Sequence, residues 1–192
     1  MDKRHFLGAA ALATAGAAIA APARPNAGGP ALLTISGAIG KPNRGALDPA
    51  LDQMMHKQKI TFPAAHAFDF STLAAMPALA IRPTLEYDNR QHSLRGPLLT
   101  DVLARAGAQL SSQAKLLLRA VDGYVAAVTP AQANAWRFIV ATHLDGKPMP
   151  LGGLGPLWAV YDADRVPEMA ARPVAERFGA CPWALYHIEV QA

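Results

Sequence analysis

The sequence predicts an α+β fold, and three features carry that expectation. Apolar runs of strand length are interspersed with a few short helical patterns, without regular strand–helix alternation. With 16 prolines and 15 glycines among 192 residues, the chain is broken too often for a helical bundle and suits short elements joined by turns. A hydrophobic content of 52% can build a real core, and the length is that of one domain.

Residues 1–21 are expected to lie outside that domain. Lys3, Arg4 and His5 form a charged start, and Phe6 to Ala21 is an Ala-rich apolar stretch. Ala18-Ile19-Ala20 offers a small-x-small cleavage site, completing the layout of a secretory signal peptide. The stretch is too short and too weakly hydrophobic for a membrane span, and no later segment approaches one. Lys3-Arg4-His5-Phe6-Leu7 resembles the twin-arginine consensus with Lys in first position, so that route and ordinary secretion both stay open. Either predicts the periplasm or beyond. Residues 22–30, rich in Ala, Pro and Gly, read as a flexible lead-in, and 31–192 as the folded domain.

Within the domain, Leu32 to Gly37 reads as a strand ending at a glycine turn, Lys41 to Asp52 as irregular, and Gln58 to Phe62 as a second strand. Asp69-Phe70-Ser71 leads into a short helix near Leu73 to Met76, stopped by Pro77. Leu79 to Ile81 is extended, with Pro83 holding the preceding residue away from helix. Apolar residues at 98, 99, 102, 103 and 106 follow the helical period, and Gly107 is placed as a C-terminal cap. Lys115 to Val121 and Val125 to Val128 read as strands separated by Asp122-Gly123-Tyr124. Thr129-Pro130 reads as a helix start. Trp136 to Leu144 reads as a strand with a turn at Asp145-Gly146, and Leu157 to Tyr161 and Leu185 to Val190 as late strands.

Several functions are disfavoured. The net charge is +4, but Lys and Arg are scattered without an aromatic-interleaved basic patch, which argues against nucleic acid. Cys181 is the lone cysteine, so neither an internal disulfide nor a multi-cysteine metal site is available. His56, His66, His92 and His143 show no metal-ligand spacing. No Gly-x-Ser-x-Gly elbow occurs, and Gly152-Gly153-Leu154-Gly155 lacks the Lys-Ser/Thr of a phosphate loop.

The order of several segments is similar to that of the oxidoreductase molybdopterin-binding domain family, the sulfite-oxidase-like fold. The segments are 33–37, 94–103, 121–126, 144–149, 155–161 and 183–190, which together span nearly the whole domain. Short exported members of that family resemble periplasmic pterin-binding proteins that report to a membrane-bound signalling enzyme. The resemblance therefore implies a small-molecule pterin ligand and a membrane-bound signalling partner. The family's enzymes ligate molybdenum through a cysteine upstream of the segment matching Leu94 to Leu99. Here Leu79 to Tyr87 contains none, and Cys181 sits in a different motif, where it reads as a small buried hydrophobe. The lysines that relatives carry before the tryptophan matching Trp183 are also absent from Phe178 to Pro182, leaving Arg172 and Arg177 as nearby substitutes. A complete molybdopterin cofactor is thus disfavoured, and sulfite-oxidase-type catalysis with it.

A bare pterin remains a candidate ligand. Its 2-amino-4-oxo edge presents adjacent donors that a carboxylate accepts in pairs, and its faces suit aromatic rings. Asp122 and Tyr124 meet that demand at a turn between apolar strands, although the same residues also read as a plain hairpin turn and a core tyrosine. Trp158 and Trp183 are stacking candidates, although within apolar strands such residues are more often core. Arg82 and Glu86 occupy the segment where the enzymes place their metal ligand, and equally read as surface. Two alternatives accompany this reading: an atypical molybdopterin-dependent oxidoreductase, and a ligand-free protein-interaction domain.

Overall fold

A computed structural model describes residues 28–192, so the leader expected over residues 1–21 lies outside the described residues, as does the lead-in up to residue 27. β1 (Ala31–Gly37) ends at Gly37 with φ 88°, where a Cβ would meet the Val190 carbonyl oxygen at 2.1 Å, so only glycine fits. After α1 (Gln53–Lys57) come β2 (Ala65–Asp69), α2 (Phe70–Ala74) and β3 (Ala78–Ile81). Asp69 caps α2 by accepting from the Thr72 N–H at 2.6 Å. β4 (Leu94–Pro97) leads into α3 (Leu99–Arg105), whose buried Leu99, Val102 and Leu103 form the expected stripe and which gives way to Gly107 at φ 71°.

β5 (Lys115–Ala120) and β6 (Val125–Val128) make a hairpin, and α4 (Pro130–Ala135) starts where Thr129 accepts from the Gln132 N–H at 3.1 Å. β7 (Ile139–Ala141), β8 (His143–Leu144), β9 (Lys147–Pro148) and β10 (Trp158–Val160) follow, then α5 (Pro167–Ala170) and β11 (Leu185–Gln191).

The main sheet has the order β2-β1-β11-β5-β6, with β1 and β11 parallel and every other pair antiparallel. A smaller sheet runs β3-β4-β8-β9, and β7 pairs with β10. Alternation gives the main sheet two faces. Leu33, Ile35, Leu116, Leu118 and Ile188 join the principal core with α3, β7 and β10. Thr34 and Ser36 point the opposite way, towards a smaller cluster of Met55, Ile60, Phe62, Ala65 and Tyr186.

Two expectations need correction. Gln58 to Phe62 forms no strand: Lys59 adopts φ 58°, and Ile60 and Phe62 are buried from an irregular segment against the sheet. Trp136 to Leu144 is not one strand, because Arg137 at φ 53° ends α4 and the remainder divides into β7 and β8. β4 was not foreseen. Its Gly96 allows the Val140 carbonyl to approach to where a Cβ would meet it at 1.9 Å. None of the described helices is long and apolar enough to cross a membrane.

Candidate functional site

Three loops from distant parts of the chain converge on one cavity of about 270 Å³. The first is the β5–β6 turn. Asp122 there accepts the Tyr124 N–H at 2.9 Å, an Asx turn completed by Gly123 at φ 93°. The second joins β3 to β4, doubling back through a Thr84–Gln91 bridge and a Leu85 N–H donated to the Arg90 carbonyl at 2.9 Å. Glu86 and Tyr87 sit in this loop and line the cavity. The third is the irregular stretch before β11, which supplies Phe178, Gly179, Cys181 and Trp183.

Hydrogen bonds tie these loops together. The Tyr124 hydroxyl donates to the Gly179 carbonyl, holding the β5–β6 turn against the third loop. The Val121 N–H donates to the Ala184 carbonyl at 3.1 Å, and the Ala159 N–H to that of Pro182 at 3.3 Å. Ala184 adopts φ 49°, a left-handed conformation unusual for a residue with a Cβ. It turns the chain from Trp183, at the cavity, into β11.

Four of the six residues singled out from the sequence therefore line one cavity: Glu86, Asp122, Tyr124 and Trp183. The other two lie elsewhere. Trp158 is fully buried, its indole N–H donated to the Cys181 carbonyl at 2.9 Å, and it offers no face to a ligand. Arg82 is exposed outside the lining, with its backbone N–H on the Asp162 carboxylate at 3.3 Å. Tyr124 is 49% exposed rather than core, and its ring forms part of the wall.

Sequence reasoning missed Tyr87, Phe178 and Cys181. Tyr87 adjoins Glu86, and a carboxylate followed by an aromatic was a readable signal. Burial, aided by the Glu86 charge, pushes the Tyr87 phenol up to about 12, so it remains a hydrogen-bond donor at any ordinary pH. Cys181 had no local signal, because its approach to Glu86 is made by long-range folding. Burial pushes its thiol well above the ordinary range, so it is neutral.

The electrostatic character of the lining is one-sided. It contains two carboxylates and no lysine or arginine. Arg177, a conceivable phosphate partner, is committed elsewhere: Nη1 pairs with Asp164 at 2.8 Å, Nε donates to the Arg172 carbonyl and Nη2 to that of Ala170. Arg172 is outside the lining. Among the described residues no group of three or more His, Cys, Asp or Glu side chains could hold a metal ion. The lining offers a phosphate no cation and a metal only a neutral, buried thiol.

The architecture has a solved counterpart. The chain is similar to the crystal structure of the sulfane dehydrogenase SoxCD from Paracoccus pantotrophus, with a TM-score of 0.54 and 12% identity over 82% of this chain. At that identity the likeness is one of fold, and it bears out the α+β, sulfite-oxidase-like architecture expected from the order of the motifs. The matched region spans 37% of the length of that structure's chain. No protein-family model and no curated protein matches this sequence.

Proposed function

We propose that this chain is an exported, non-catalytic pterin-binding protein that passes ligand occupancy to a membrane-bound signalling partner. The observation that carries the binding limb is the lining just described: two carboxylates among four aromatic rings, without a cation. The 2-amino group and the adjacent ring N–H of a pterin are a pair of donors, and a carboxylate accepts both through charge-assisted bonds. Asp122 keeps one oxygen on the Tyr124 N–H, which leaves the second for a ligand. Glu86 faces the cavity from the opposite loop, and the Tyr87 phenol offers a donor to the 4-oxo group. Trp183 and Tyr124 provide ring faces, each worth about 0.5–1.5 kcal/mol beyond area burial when stacked. The export limb rests on the leader pattern of residues 1–21, and the signalling limb on the resemblance to short exported members of the fold family.

The test is a titration of the purified protein with pterin, read by tryptophan fluorescence. Saturable quenching is expected, with a smaller amplitude in Trp183→Phe, because Trp183 is the tryptophan in the cavity lining. An absence of saturable change up to the solubility limit of pterin contradicts the reading.

A further inference from the structure

Beside the cavity lies a groove of about 550 Å³ of opposite character. Tyr87 and Trp183 line both, so the two spaces share a wall. The groove floor is Val121, Leu154 and Ala184, its far side is Leu151, and no charged residue lines it. Leu151 is 71% exposed, Tyr87 55% and Trp183 37%, three large side chains exposed around one groove. Single exposed apolar residues are ordinary, whereas a contiguous set marks a binding surface. A Cβ at Gly152 would meet nothing within 4 Å and one at Gly153 only Pro150 at 3.7 Å or more, so both glycines border open space. Past Leu151 and Val121 a second recess, equally free of charged lining, continues to Met54 and Met55.

From this continuity we infer that the ligand is a pterin bearing an apolar substituent, which lies in the groove between Trp183, Tyr87 and Leu151. The inference rests on the pterin reading of the cavity and adds the class of side chain. The cavity's carboxylates, Glu86 and Asp122, select the donor edge of the ring and repel an anionic group. The groove offers an anion no partner, so a carboxylate or phosphate entering it would lose hydration without compensation. An alkyl or aryl substituent gains from the same surface, and the unbranched Met54 and Met55 adapt to its shape.

The experiment compares pterin, 6-methylpterin and longer 6-alkylpterins with 6-carboxypterin, by fluorescence titration on the full mature chain. The expected result is an affinity gain of roughly three- to fourfold per methylene over the first few carbons, with 6-carboxypterin weaker than pterin itself. Leu151→Asp, a change on an exposed loop, should flatten the dependence on chain length. Binding of unsubstituted pterin with no gain along the alkyl series overturns the inference and leaves the pterin reading standing. Tighter binding of 6-carboxypterin overturns it likewise. Failure of every pterin to bind overturns both. A flat alkyl series together with self-association that Leu151→Asp abolishes assigns the groove to a second copy of the chain instead.

Discussion

The proposed function gives Asp122 two duties that substitution can separate. One carboxylate oxygen closes the Asx turn on the Tyr124 N–H at 2.9 Å, and the proposal offers the other to the ligand. Asp122→Asn keeps a side-chain oxygen for the turn and removes the charge. Hydrogen bonds to charged groups contribute about 1.5–3 kcal/mol against about 0.5–1.5 for neutral ones. The difference of about 1–1.5 kcal/mol predicts pterin binding weakened roughly five- to thirteenfold. Melting temperature should stay within about 1 °C, since each kcal/mol moves a domain of this size by about 2–4 °C. Asp122→Ala removes the turn acceptor as well. The turn is exposed, so the added loss is about 0.5 kcal/mol, the low end of the neutral range, and the melting temperature should fall by about 1–2 °C. Fluorescence titration gives the affinities and differential scanning fluorimetry the melting temperatures. Wild-type affinity in Asp122→Asn, with its melting temperature intact, would show that this carboxylate does not meet the ligand and would refute the assignment.

Other predictions follow from the buried and paired groups. Cys181 is neutral and enclosed, so thiol reagents at pH 8 should leave it unlabelled in the native protein and label it fully in denaturant; rapid native labelling would contradict its place in the wall. His187 is buried, its Nε2 2.9 Å from the Ser36 hydroxyl and its Nδ1 without a partner among the described residues, and burial lowers its pKa to about 4. Between about pH 6.5 and 4 the unfolded chain binds a proton that the native state refuses, so stability falls with pH by up to about 3 kcal/mol. His187→Gln should flatten that slope in thermal melts, whatever its own baseline stability. His92 has the opposite sign: bonds to Asp145 at 2.7 Å and Asp88 at 2.9 Å raise its pKa. Its contribution is complete below the unfolded pKa and is lost as pH rises through the higher folded one. Melts across neutral to mildly alkaline pH should show that loss in the wild type and not in His92→Gln.

What the sequence revealed about this molecule follows from the range of the interactions involved. β1, α3, the β5–β6 hairpin and β11 were readable because each carries its own local signal, such as the stripe of Leu99, Val102 and Leu103 or Gly123 between two apolar runs. Gln58 to Phe62 mimics a strand because Ile60 and Phe62 alternate with polar residues. That pattern reports which side chains are buried and says nothing about whether a neighbouring strand is present to pair with them. β4 was hidden by Gly96 and Pro97, residues that weaken a strand except where, as here, another backbone presses close. At the site, Asp122 and Tyr124 could be picked out from their chemistry at a turn, and both line the cavity. The meeting of Glu86, Phe178 and Cys181 could not, because it depends on the Ala184 turn and on Arg177, which ties the third loop to Asp164. Trp158 and Trp183 are paired across an isolated bridge, yet only Trp183 reaches the cavity, a difference that composition and spacing do not encode.

The proposed function requires the cavity to hold a pterin without molybdenum. The direct measurement is the pterin and molybdenum content of the protein isolated gently from its native cells, by fluorescence of the released ligand and by elemental analysis. Pterin released on denaturation, without stoichiometric molybdenum, is the expected result. Stoichiometric molybdenum would contradict it and would mean that a residue of this chain replaces the missing thiolate.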